Sequence, residues 1–115
     1  MRIRFDDLKG NDVTYEILES EASLAFSRML PMTVDMQDLA SNEKGFMISK
    51  KLNTFGAPLA PGGLEALCYY KPWGMIVLMY GGYSEYEELF ELGTPIAGQG
   101  QVRNLKGKVC VDKIY

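Results

Sequence analysis

Two stretches of the chain concentrate the side chains able to do chemistry. Gly45 to Leu52, "GFMISKKL", sets Phe46 ahead of Lys50 and Lys51, and Tyr69 to Ser84, "YYKPWGMIVLMYGGYS", gathers Tyr69, Tyr70, Trp73, Met79 and Tyr80. A lysine ammonium is a compact donor suited to a carbonyl or carboxylate oxygen. Aromatic rings offer flat apolar area with a polar edge. That combination suits recognition of a small molecule or a short peptide segment, so these eight residues are the ligand-binding candidates, and none is given a catalytic role. Tyr69 and Tyr70 are neighbours and, on a strand, point to opposite faces. Only one of them can look into such a site, and their spacing does not say which. Each candidate also has a plainer reading: Lys50 and Lys51 as a solvated strand edge, and Trp73, inside a Pro-Trp-Gly turn, as a clamp over a neighbouring loop.

Other chemistries find no support. The chain has no histidine, which removes Ser-His and Cys-His nucleophiles. Cys68 and Cys110 lie far apart in sequence within apolar, strand-like segments, so both are expected as free buried thiols. No acids or thiols recur at ligand spacing, and neither a metal nor a cofactor is expected. "GQGQVR" has Arg103 where a dinucleotide fingerprint needs its third glycine. The acids Glu85, Glu87, Glu88 and Glu91 read as a solvated face. A net charge of −3 argues against nucleic acid as a partner, because duplex phosphates require a basic face. No run approaches the roughly 18 apolar residues of a membrane span, so no membrane association is expected. "MRIRFDDLKG" lacks the basic head and continuous apolar stretch of a secretory signal, and a cytoplasmic location is the expectation.

The elements that must position the candidates follow from periodicity. At 115 residues one domain over 1–115 is expected, large enough to bury roughly two-thirds of its unfolded surface. "RIRFD" and "VTYEIL" alternate with period two around the turn residues "DLKGND" and read as a hairpin. In "SEASLAFSRML", Ala22, Phe26 and Met29 share one helical stripe of about three turns behind an N-cap at Ser20, and Pro31 ends it. Strands are then read at "MTVDM", "GFMISKKL", "LEALCYY", "MIVLMY" and "KVCVDKIY", with loops at "NTFGAPLAPGG" and "GTPIAGQGQ". "YSEYEELFELG" reads as a turn followed by a short strand. "MIVLMY" does not alternate, which marks a strand covered on both faces. Many short strands and one substantial helix predict a mainly β chain, a closed or nearly closed barrel with the helix covering one end.

"LPMTVDMQDLASNEKGFMISKKLNTFGAP" followed by "LEALCYYKPWGMIVLMYGGYS" resembles the small prokaryotic cyclophilin-like family. Its members carry a helix ending in Leu-Leu-Pro, a Lys/Leu strand before a Gly-Ala-Pro loop, and a Tyr-Tyr-x-Pro-Trp-Gly turn. The most specific element is Tyr69-Tyr70-Lys71-Pro72-Trp73-Gly74 with Gly81-Gly82 and Ser84 after the apolar strand. The resemblance implies an eight-stranded antiparallel barrel like that of cyclophilin. It also brings peptidyl-prolyl isomerisation into view, which cyclophilins perform with an arginine, a Phe-Met-x-Gln segment and a histidine around a proline-sized pocket. Here "GFMISKKL" carries no arginine, and Phe46-Met47 precedes the lysines. The expected function is therefore binding of a small molecule or short peptide without isomerase catalysis, in a groove between the "GFMISKK" strand and the aromatic segment. The alternatives are a weak isomerase with lysine in place of arginine, and protein–protein assembly through a methionine-rich surface. The oligomeric state is not legible.

Overall fold

The computed structural model describes residues 1–114. Eight strands close into an antiparallel barrel in the spatial order β1-β2-β7-β5-β6-β4-β3-β8. They are β1 (Arg2–Asp6), β2 (Asp12–Ile17), β3 (Met32–Ala40), β4 (Glu43–Met47), β5 (Ala66–Tyr70), β6 (Met75–Met79), β7 (Leu89–Ala97) and β8 (Gly107–Ile114). The expected hairpin forms, with Ile3 opposite Tyr15 and Phe5 opposite Val13. Its turn is tied by Asp7, whose carboxylate accepts from the Lys9 and Asn11 backbone amides at 2.8 and 3.1 Å and from the Asn11 side chain at 2.9 Å. The last expected strand ran to Tyr115, which lies outside the described residues.

Period two decides what fills the barrel. Ile3, Phe5, Val13, Tyr15, Phe46, Leu67, Tyr69, Ile76 and Leu78 project inward and form one buried cluster. The alternate residues Ala66, Cys68, Met75, Val77 and Met79 form a second apolar cluster on the outside of β5 and β6. This explains why "MIVLM" shows no alternation: every residue of β6 is buried. The outer cluster is covered by the loop expected at "NTFGAPLAPGG". Ala60 donates to the Leu89 carbonyl at 2.9 Å, Glu91 donates to the Pro58 carbonyl at 2.9 Å, and Gly63 and Tyr83 exchange backbone bonds of 3.1 and 2.9 Å.

Four expectations are corrected in extent. The helix α1 is Glu21–Ser27, about two turns, capped at Ser20 as predicted by a bond from the Ser23 amide. β3 is nine residues and outruns "MTVDM". β4 stops at Met47, so Lys50 and Lys51 leave the sheet and lie exposed in the following loop. β7 takes in "GTPIA", read from sequence as loop on the strength of Gly93 and Pro95. Pro95 opposes Tyr15 beside a bulge, where the register shifts between Thr14 and Tyr15, and a proline is tolerated in a sheet at such a place. A second shift lies between Leu67 and Cys68 on the β5 side. Cys68 and Cys110 are both free, on strands that do not pair, but only Cys68 is buried as expected and Cys110 is half-buried.

Candidate functional site

The eight candidate residues do not meet at one place. Phe46 and Tyr69 face into the barrel and are buried. The Tyr69 hydroxyl accepts from the Leu52 amide at 3.3 Å, which fixes the start of the covering loop. Tyr80 is half-buried against the interior cluster, with the Arg103 guanidinium 5.8 Å above its ring. Lys50 and Lys51 are solvated. Tyr70, Trp73 and Met79 do come together, on the outside of the barrel. The choice between the adjacent tyrosines is thereby settled: Tyr69 points in and Tyr70 out.

Strand parity builds the outer site. Tyr70 ends β5 and Met75 opens β6 directly opposite it. The tight turn between them, Lys71–Trp73, closes on Gly74 at φ 61°, a left-handed conformation that a side chain would strain. The turn lifts Trp73 to 64% exposure. Its ring meets Tyr70 edge-on, with centroids 5.5 Å apart and planes at 89°. Tyr86 lies 6.2 Å from Tyr70 with its plane tilted by 32°. These rings edge a cleft of about 380 Å³ whose apolar lining includes Leu39, Met75, Val77, Met79 and Leu89, with Asn42, Glu43, Tyr83 and Ser84 completing it. The volume falls at the small end of the range for ligand sites.

The polar side of the cleft has one ionisable carboxylate. Glu43 begins β4 opposite Met79, and partial burial raises its carboxyl above the usual range. It forms no ion pair among the described residues. Asn42 is engaged already, its side chain donating to the Gly82 carbonyl at 2.9 Å while its own carbonyl accepts from Tyr80 at 3.0 Å. Beneath the cleft, burial first and then the Glu91 and Glu43 charges push the Cys68 thiol far up, so it is an inert apolar group. Burial, aided by Cys68 and Glu91, pushes the Tyr83 phenol up to about 12.

Sequence reasoning missed Glu43 and Tyr86. Tyr86 sits in "YSEYEE", read as a solvated turn, and nothing local shows that the 83–88 segment folds back over β5. Glu43 stands beside the turn between β3 and β4, and only the pairing of β4 with β6 carries it to the aromatic residues.

Residues 6–112 match the family model described as the cyclophilin-like family. The chain belongs to that family. A solved structure similar to this cyclophilin-like chain is the solution structure of a hypothetical protein from Archaeoglobus fulgidus. It has a TM-score of 0.73 and 18% identity, covering 99% of this chain and 95% of that one. At that identity the likeness shows the fold. No curated protein matches the sequence. Among the described residues no helix is long and apolar enough to cross a membrane, and no cluster of His, Cys, Asp and Glu suits a metal ion.

Proposed function

We propose that this cyclophilin-like barrel is a binding module that receives a small molecule or short peptide segment in the outer cleft, without isomerase catalysis. The observation that supports the reading is the Tyr70–Trp73–Tyr86 group, half-exposed rings held over an apolar floor of about 380 Å³. Leaving such rings in water is unfavourable unless something covers them, and aromatic clefts of this form supply contact area at low entropic cost. An isomerase needs a donor held near the prolyl nitrogen in the twisted state. The cleft lining contains no lysine or arginine, and Lys50 and Lys51 stand outside it.

Trp73 is the only tryptophan, so intrinsic fluorescence reports on the cleft directly. Titrating a panel of apolar and aromatic fragments together with Ala-X-Pro-Phe peptides is expected to shift Trp73 emission. Tyr70→Ala is expected to weaken each hit by about tenfold, the scale of one lost aromatic contact. NMR exchange on the same peptides is expected to show no acceleration. A tenfold acceleration, which requires only ~1.4 kcal/mol of barrier lowering, would replace the binding reading with an enzymatic one if Lys50→Ala or Lys51→Ala abolished it.

A further inference from the structure

The cleft's chemistry narrows its occupant. Tyr70 and Trp73 stand at right angles on one hollow, Tyr86 adds a third ring, and the only ionisable carboxylate lining it is Glu43, which has no cationic partner among the described residues. An aromatic face attracts a cation through its quadrupole, and an adjacent carboxylate adds direct charge attraction. Neutral apolar ligands gain nothing from a desolvated carboxylate, whereas a cation supplies the counter-charge it lacks. The segment edging the cleft carries Glu85, Glu87 and Glu88 against the single cation Lys71 of the facing turn, so the approach to the hollow is also acidic.

Resting on the binding reading above, we propose that the ligand is a small organic cation whose alkylammonium head sits among Tyr70, Trp73 and Tyr86 with Glu43 as its counter-charge. Met75, Val77 and Met79 form the apolar floor for the carbon skeleton. The raised Glu43 carboxyl is consistent with a partly buried acid that has no ion-pair partner among the described residues.

The test compares choline with its uncharged isostere 3,3-dimethylbutan-1-ol, which replaces N⁺ by carbon at nearly constant shape. The full chain is labelled at methionine methyls and titrated with each, reading the Met75 and Met79 methyl resonances and Trp73 emission. Choline is expected to bind at least about tenfold more tightly than the isostere, with Glu43→Gln lowering choline affinity by about threefold to tenfold and leaving the isostere unchanged. Tyr70→Phe, which keeps the ring, is expected to retain choline binding, and Tyr70→Leu to lose it. Equal affinities for the two probes would overturn the cationic assignment while leaving the cleft as a binding site. Silence to choline, with hits among the uncharged fragments of the panel, would overturn it in the same way. A trimethyllysine peptide that binds where choline does not would overturn the small-molecule source.

Discussion

Tyr15 carries the one buried side-chain polar atom among the described residues that has no hydrogen-bond partner. Its ring is fully buried and edge-on to Phe5 at 5.6 Å, so the ring packs while the hydroxyl is desolvated without compensation. Tyr15→Phe is expected to be neutral or to stabilise by up to about 1 kcal/mol in urea unfolding, because removing an unpaired polar atom removes its desolvation cost. Glu91 gives a prediction of opposite pH dependence to Asp7. Burial raises the Glu91 carboxyl, so the native state binds its proton more tightly than the unfolded chain does. Its contribution to stability is present below about 4.5 and is lost as pH rises through the raised value. Glu91→Gln is expected to increase the thermal midpoint at pH 7, with the difference vanishing at low pH. At Asp7, burial opposes ionisation but is outweighed by bonds from the Asn11 side chain and the Lys9 and Asn11 amides, and the carboxyl is lowered. Its stabilisation is present above about 3.8 and is lost as pH falls through the lowered value. That Tyr69 and Tyr70 part company was legible from adjacency alone. Which one faces out was not, because β5 and β6 are apolar on both faces and their composition carries no sign of inside or outside.

The cleft depends on one close approach between elements. A Cβ at Gly45 would run into the Ile76 carbonyl oxygen of β6 and come within 2.9 Å of the Leu39 side chain. Gly45 therefore lets β4 lie against β6 while Leu39 folds over the strand into the cleft wall. Gly45→Ala is expected to cost about 2–3 kcal/mol by overpacking and to weaken cleft ligands together with stability, read by urea unfolding and Trp73 titration on one sample. Lys44, next in the strand, points the other way. It is buried, donating to the Leu105 carbonyl at 2.7 Å and reaching Asp38 at 3.0 Å, and so anchors β4 to the segment before β8. The hairpin and the N-cap at Ser20 were readable because they rest on local alternation and capping. β7 was not, because Pro95 and Gly93 are loop residues by composition, and only the bulges formed against β2 and β5 make room for them. "GFMISKKL" has no internal stop, so its sequence alone extends the strand through the lysines after Met47. β4 ends where β6 runs out of partners, at the Met47–Met75 pair.

At the scale of the molecule, a closed barrel has no free sheet edge, and side chains fill the interior of this one. The same closure that hides Phe46 and Tyr69 leaves Tyr70, Trp73 and Tyr86 as an outer aromatic surface, backed by a second apolar cluster. The architecture was legible from strand count and from the resemblance carried by "YYKPWG". The site was only partly so, because its walls come from four segments that meet only once the barrel closes. On the proposed binding reading, ligands enter this outer cleft. The most direct test is a methyl spectrum of methionine-labelled protein titrated with the fragment and peptide panel. Met75 and Met79 line the cleft, whereas Met36 belongs to the interior cluster and Met29 and Met32 pack against that cluster. Shifts confined to the first pair, and lost in Tyr70→Ala, are the expected result. Shifts at Met29, Met32 or Met36 with Met75 and Met79 unmoved would contradict it.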